Sequence, residues 1–382
     1  MRRWHGFALF LVASLVFLKG CARNAPLRPT AREDLFTLEY GDFQSQISMR
    51  GGSAPIVDLT MRQGIFTVLD GVGKKATRFT SYGDILSIVA ASGSASFNAP
   101  TQISADGASS VYIADRLGRG GSQIFDPLSG TFVDWIVRKL SPGGENLGII
   151  GQEGAGGTSF PKIFNLEVLP DSSLVVVASS GPTWLVNRFN RNGTLLSSLR
   201  ISENALPLPG LLQIKTSRKN KISVNVDQLV PIAKGQDFQI YLKLDYYGEA
   251  FEGSSANVGV DMEIEYLGSW IFSIDGATGK YMESLEVFSP SRKGEIPELL
   301  GVSGERIFLI SYLEGPGISW ELTTMDLSGK TLSRYALKAP LDALAAPVLK
   351  LSPEGQVFGL SLGEKNASVF WWDLGIEGGR PR

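Results

Sequence analysis

Phe97-Asn98-Ala99-Pro100, then Asp106-Gly107, then Val111-Tyr112-Ile113-Ala114-Asp115 is the stretch that decides the fold of this 382-residue chain. It reads as an extended lead-in, a turn, and a β-branched and aromatic strand ending on an aspartate. Downstream, Gln123-Ile124-Phe125-Asp126, the turn Pro127-Leu128-Ser129-Gly130 and Thr131-Phe132-Val133-Asp134-Trp135-Ile136 read as a hairpin. Alternation half-buries each strand, the Asp bonds to the backbone of the turn, and Gly takes the positive φ that closes it.

The unit recurs. Leu174-Val175-Val176-Val177 is followed by Leu185-Val186-Asn187-Arg188-Phe189-Asn190 and a turn at Asn192-Gly193. Later copies close with Ile274-Asp275 before Gly279, Met325-Asp326 before Gly329, and Trp372-Asp373 before Gly375; the first is degenerate, Arg78-Phe79-Thr80 before Gly83-Asp84. Another strand precedes each pair, often introduced by proline, as at Pro55-Ile56-Val57, Phe160-Pro161 and Ile296-Pro297. Four strands per copy, at spacings from about 45 residues upward, predict an all-β, six-bladed β-propeller with four-stranded antiparallel blades. A seven-bladed ring is the alternative, because the fourth copy is long enough to hold an irregular extra one. After Asp373 the chain runs out in glycine, from Leu374 to Arg380, so the last blade lacks its outer strand. An N-terminal strand between Phe36 and Met49 is expected to supply it, closing the ring and hiding open strand edges.

The N-terminus reads as an address. Arg2 and Arg3 precede an apolar run from Phe7 to Phe17, which ends at Leu18-Lys19-Gly20-Cys21. These are the parts of an export signal, too short to span a bilayer. Cys21 is the only cysteine, so the chain has no disulfide to rely on. Ordinary cleavage after Ala22 is the competing reading. The expected division is a signal peptide over 1–20, a flexible tether over 21–33, a propeller domain over 34–375 and a C-terminal tail over 376–382.

Removing the signal deletes Arg2, Arg3 and Lys19, which takes the basic residues from 36 to 33 against 38 acidic ones. A mildly acidic chain lacks the footprint of a nucleic-acid binder, and Lys215 to Lys221 (KTSRKNK) reads as a solvated loop. The one histidine is His5, inside the signal. A mature chain without histidine or free thiol has no Ser-His-Asp or Cys-His nucleophile, no His-ligated metal and no His base. The glycine clusters Gly118-Arg119-Gly120-Gly121 and Gly151 to Gly157 read as loops and not as phosphate cradles. The expectation is a protein that is not an enzyme and carries no cofactor.

Carboxylates remain. The fourth copy carries an insertion, from about Asp245 to Gly268, that holds Asp245, Glu249, Glu252, Asp261, Glu263 and Glu265 with no Lys or Arg. Together with Tyr246 and Tyr247 these acids form the expected partner-binding face. Alternation puts Asp261, Glu263 and Glu265 on one side of a strand, where a calcium ion is a weak expectation beside a solvated acidic hairpin. The long loops Ser141 to Ser159 and Ser202 to Lys221 are expected on the same face. Gly181-Pro182-Thr183-Trp184 and Gly317-Ile318-Ser319-Trp320 resemble the tail of the sialidase Asp-box but lack its aspartate, so their tryptophans are expected to pack between blades.

Leu18, Gly20 and Cys21 resemble the lipobox of bacterial lipoproteins, with Lys19 departing from its usual small or apolar residue. That resemblance implies cleavage before Cys21, acylation of its thiol by palmitate-type chains and a membrane anchor; so loose a lipobox is similar to those of spirochaetes. The stretch Phe97 to Asp115 resembles an NHL repeat, and the whole organisation resembles NHL-like and TolB-like propeller lipoproteins of bacterial envelopes, including those that scaffold outer-membrane assembly. What this implies is a non-enzymatic interaction scaffold, held to the inner or outer membrane by its lipid, that binds an envelope protein or wall polymer and no nucleic acid. Two alternatives stand beside it: a carboxylate-dependent envelope glycan hydrolase or lyase, and a calcium-dependent adhesin. Two carboxylates converging in the central channel would give the hydrolase a site.

Overall fold

A computed structural model describes residues 25–49, 57–89, 96–106, 110–117, 124–126, 131–210, 212, 221–235, 237–251, 262–287, 296–313 and 318–375. The chain opens with β1 (Leu27–Pro29) and β2 (Arg32–Glu39). Blade one is β3 (Val57–Arg62), β4 (Ile65–Asp70), β5 (Lys75–Phe79) and β6 (Ile85–Val89). Blade two uses β7 (Gln102–Ala105) and β8 (Val111–Arg116), is interrupted by the separate hairpin β9 (Ile124–Asp126) and β10 (Thr131–Val133), and resumes with β11 (Trp135–Leu140), β12 (Asn146–Gly151) and the short β13 (Gly154–Ala155). Blade three is β14 (Lys162–Val168), β15 (Leu174–Ser180), β16 (Thr183–Phe189) and β17 (Leu195–Ser202). Blade four is β18 (Lys221–Lys234), β19 (Asp237–Phe251), β20 (Met262–Asp275) and β21 (Tyr281–Val287). Blade five is β22 (Glu298–Ser303), β23 (Arg306–Tyr312), β24 (Ser319–Asp326) and β25 (Thr331–Lys338). Blade six has β26 (Val348–Leu351), β27 (Val357–Leu362) and β28 (Asn366–Trp372).

The ring is six-bladed, and β2 is the missing outer strand of blade six. It runs antiparallel to β28, from Arg32 opposite Trp372 to Glu39 opposite Asn366. Closure by a strand from the other end of the chain hides the β28 edge and joins the termini in one sheet. The closing strand lies further upstream than the sequence suggests. It begins inside the stretch read as a tether, and β1 lies there too, pairing in parallel with β25 of blade five.

The turn rule holds where the third strand of a blade becomes the fourth. Asn190 Oδ1 accepts from the N–H of Asn192 and Thr194 at 2.9 Å each. Asp326 Oδ1 accepts from Ser328 and Lys330 at 2.9 Å each, and Asp275 Oδ1 from Ala277 and Thr278 at 3.1 and 2.7 Å. In the degenerate first copy the Thr80 hydroxyl does the same work, accepting from Tyr82 and Asp84 at 3.2 and 3.1 Å. Gly83 and Gly329 both sit at φ +87, where a side chain would be strained.

Blade two corrects the reading of its own copy. Phe125-Asp126 mimics the signature, yet β9 and β10 pair only with each other. The third strand is β11, which pairs with β8 from Trp135–Arg116 to Leu140–Val111, and its turn residue is Ser141, whose hydroxyl accepts from Glu145 N–H at 3.0 Å. The stretch Ser141 to Ser159 is therefore no plain loop, since it supplies β12 and β13. Asp115, fully buried, reaches the lead-in instead of a turn: it accepts from Asn98 N–H at 3.0 Å and Ala99 N–H at 2.7 Å and holds Arg138 at 2.7 Å.

The core lies between blades, where the apolar faces of neighbouring sheets meet. Val175, Val177 and Val186 of blade three pack with Ile240, Leu242, Leu244 and Tyr246 of blade four, and Tyr241 and Ile271 pack with Leu299, Ile307 and Leu309 of blade five. Trp320 meets Trp372 edge to face, with ring centroids 6.3 Å apart, between blades five and six. Trp372 is wholly buried, while Trp371, on the other face of β28, packs against Phe66 of blade one with ring centroids 6.5 Å apart and donates from Nε1 to Glu33 at 2.7 Å, as alternation requires.

Candidate functional site in the central channel and the blade-four ribbon

Two features stand out from the ring. The first is the channel that the innermost strands enclose, a cavity of about 640 Å³ whose polar lining includes Arg62, Glu167, Gln228, Glu298, Tyr312 and Lys350. A belt of inter-blade bonds follows its wall from blade six through blades one, two and three to blade four. Lys350 of blade six meets Asp58 of blade one at 3.1 Å, and Asp58 accepts from Ile103 N–H of blade two at 3.0 Å. Arg62 of blade one donates to Ala105 O of blade two at 3.1 Å, to Glu167 of blade three at 2.7 Å and to Val168 O. Ser104 Oγ accepts from Val168 N–H at 3.0 Å, and Asn165 Nδ2 donates to Leu229 O of blade four at 3.3 Å. These side chains fasten blade to blade, and their charges are mostly spent on one another.

Glu298 is the exception, with no cation in ion-pair range among the described residues. Burial pushes its carboxyl above the ordinary range, Asp227 adds to the rise, and Lys243 opposes it. Glu167 is raised by burial in the ring, with Arg62 and Lys350 pulling the other way. Its side chain is 39% exposed, so it is surrounded by protein yet open to the channel. Burial works against the Lys350 ammonium, but Asp58 and Glu167 outweigh it and hold its pKa above the usual lysine value.

The second feature is what the acidic insertion becomes. It is no loop added to finished strands: β18, β19 and β20 continue past the blade as a three-stranded ribbon. Lys221–Glu249 and Asn225–Asp245 pair across its first two strands, and Tyr247–Tyr266 and Phe251–Met262 across the next. The ribbon rises on the face where second strands turn into third strands and one blade leads to the next.

At its root sits Lys243, fully buried between two carboxylates, with Asp245 at 2.6 Å and Asp227 at 3.1 Å. Asp227 is the extra residue of a β-bulge, since Val226 pairs with Leu244 and Gln228 with Lys243. A bulge re-aims its side chain, here onto the ammonium. Asp245 also accepts from the Ser269 hydroxyl, which lies 2.6 Å from Tyr266 Oη. On the other face of β19, Tyr246 donates to Pro207 O at 2.5 Å and packs edge to face on Trp270 at 5.2 Å. Burial pushes its phenol far above the ordinary range.

The expected binding face is therefore divided. Asp245 and Tyr246 are buried and hold the root, which corrects their assignment to an exposed face. Tyr247 is half-buried against Tyr266, with centroids 5.7 Å apart, and Glu265 is exposed on the ribbon. The side chains of Glu249 and Glu263, and all of Glu252, Asp261 and Cys21, lie outside the described residues, as do Gly118 to Gly121 and most of Lys215 to Lys221. Among the described residues no three His, Cys, Asp or Glu side chains come together as a metal site, and no helix is long and apolar enough to cross a membrane. Sequence reading missed Lys243, Asp227 and Glu298. A lysine alternating with Asp245 in an otherwise apolar strand was the one available signal.

No family model and no curated protein matches the chain. Among solved structures it is similar to hydrazine synthase of Kuenenia stuttgartiensis, at 13% identity and TM-score 0.42, over 84% of this chain and 98% of that one. It is also similar to a gluconolactonase from Xanthomonas campestris, at 10% identity and TM-score 0.42, over 91% and 98%. The β-propeller domain of the Trilobed protease from Pyrococcus furiosus is a third neighbour, at 10% identity and TM-score 0.38, over 84% and 96%. These neighbours differ in function, and the likeness extends to the propeller fold alone.

Proposed function

We propose that this chain is a lipid-anchored, non-enzymatic binding module of a bacterial envelope, whose ribbon-bearing face holds an envelope protein or a wall polymer. The observation that carries this reading is the ribbon on its buried root. Among the described residues the other blades close without such an extension, so ring stability does not require it. Its base is held on both faces, by Lys243 with its two carboxylates and by Tyr246 with Trp270, which fixes the direction in which the ribbon leaves the ring. An element oriented in advance binds at lower entropic cost than a loop that must order on contact. The test replaces residues 248–264 with a short Gly-Ser turn, leaving the root intact, and compares crosslinking in the native envelope and pull-down on purified wall polymer. The reading expects the captured species to be lost on trimming, and unchanged capture by both versions overturns it.

A hydrolase acting on envelope glycans is the second reading. It is favoured by Glu298 and Glu167, two carboxyls with raised pKa on the wall of one channel. Glycoside hydrolysis uses such a pair, one protonated as the acid and one ionised. Turnover of envelope glycan that disappears in Glu298→Gln would support it, and absence of turnover in the parent protein would remove it.

A further inference from the structure

The outer strands of blades one to five carry the same irregularity near their starts, and that of blade six carries one further along, where its residue packs into the core. Leu86 in β6, Leu147 in β12, Leu196 in β17 and Leu332 in β25 are each the extra residue of a bulge at the second position of the strand. In β21, Met282 and Glu283 together oppose Ser273, and in β2 the extra residue is Leu35. A bulge turns its side chain out of the sheet. Leu86, Leu147, Leu196, Met282 and Leu332 are accordingly 38–52% exposed. Each lies beside the turn between third and fourth strands, so the repeat of the ring sets them at equivalent points along one rim. That rim lies opposite the ribbon. Neighbouring turns add exposed Tyr82 and Leu327.

The chain's own N-terminus leads to the same rim. Because β1 runs parallel to β25, with Leu27 opposite Arg334 and Pro29 opposite Ala336, the chain before Leu27 heads toward Leu332. Leu27 is the sixth residue after Cys21, a reach of at most about 20 Å. Exposed Arg28, Arg191, Lys280 and Lys330 flank the apolar positions of blades three to five, against Glu283 and the turn aspartates Asp275 and Asp326, whose carboxylates are engaged by turn N–H and hydroxyl groups, while blades one and two have Asp84 and Glu145 there and no exposed cation in those turns. Apolar side chains edged by cations suit an anionic lipid surface.

We propose that this rim, blades three to five foremost, rests on an anionic lipid surface and that the ribbon-bearing face is turned away from it. The proposal builds on the lipid-anchor reading and adds the orientation that reading leaves open. The test is hydrogen exchange of the full-length protein, free and on vesicles of phosphatidylcholine with phosphatidylglycerol, with intact mass reporting whether Cys21 is acylated. Exchange at residues 280–283 and 327–333 should slow at least fivefold on vesicles, while residues 264–268 of the ribbon exchange as in the free protein. The double variant Met282→Asp with Leu332→Asp should lose that protection and keep its melting temperature, because both side chains are already exposed.

An acylated chain that gains no protection on the rim, or gains it on the ribbon, overturns the orientation and leaves the anchor standing. An unacylated chain that floats with vesicles and protects the rim overturns the anchor and supports the rim. If an unacylated chain neither floats nor gains protection, both fall. Rim protection that rises with protein concentration in the absence of vesicles assigns the rim to a second copy and overturns the lipid contact.

Discussion

Asp227 and Lys243 meet at 3.1 Å because the pairing of β18 with β19 slips by one residue at Asp227. The slip turns an acid toward a lysine that has no access to solvent, and Asp245 completes the site from the same strand. Removing one member of a buried ion cluster leaves the others desolvated without compensation, at a cost of about 3–5 kcal/mol. Lys243→Met should lose stability on that scale in urea denaturation, with the loss much reduced in Lys243→Met combined with Asp227→Asn and Asp245→Asn. A single variant as stable as the parent would show that the cluster does not hold the ribbon root.

Asp115 offers a contrast between two uses of the same residue type. It is fully buried, accepts two backbone N–H groups and pairs with Arg138, whereas Asp326 accepts its turn bonds in the open. Asp115→Ala should cost about 3 kcal/mol, since it strands a buried guanidinium and two amides. Asp326→Ala should cost much less, because water replaces its turn bonds in the open. Equal losses in chemical denaturation would contradict this division.

Closure by β2 makes the N-terminal residues part of the ring. A chain starting at Tyr40 loses β1 and β2 but keeps β3 to β28; it exposes the edges of β25 and β28 and loses Leu38 from the core shared by blades six and one. Exposed strand edges recruit other chains. That truncated chain should elute from size exclusion as soluble aggregate, while a chain starting at Ala25 should elute as a folded species.

Glu298 predicts a pH dependence with a definite sign. Burial, aided by Asp227 and opposed by Lys243, raises its pKa in the folded protein. A carboxyl so raised contributes stability that is complete below its unfolded value, about 4.3, and is lost as pH rises through the folded one. Glu298→Gln keeps the neutral form at every pH. The variant and parent should therefore match near pH 4 or below, and the variant should melt higher at pH 7. A variant that gains on the parent only in acid would reverse the sign and refute the environment described for Glu298.

Much of this architecture was legible from local physics. Strand alternation, the Asp, Asn or Thr that caps most of the turns, and the glycine at positive φ are short-range signals, so blades could be counted from residues such as Asn190-Gly193 and Asp326-Gly329. The shortage of a strand after Asp373 was legible too, and it required closure by the N-terminus. Phe125-Asp126 misled because a hairpin that pairs with itself carries the same local signature as one that pairs with β8. Only long-range pairing distinguishes them.

The site depended on relations that no local pattern encodes. Composition by itself determined that the chain has one histidine, His5, and one cysteine, Cys21, so that the residues after Cys21 offer neither an imidazole nor a thiol. It also displayed the acids of the blade-four stretch, but not which of them would be buried. That was decided by the twist of β18 through β20 and by a one-residue bulge, which bring Asp227, Lys243 and Asp245 together and leave Glu265 in solvent. The channel, likewise, exists only once inner strands from distant parts of the chain stand side by side, because the proximity of Arg62, Glu167 and Lys350 is a property of ring closure and not of their spacing in sequence.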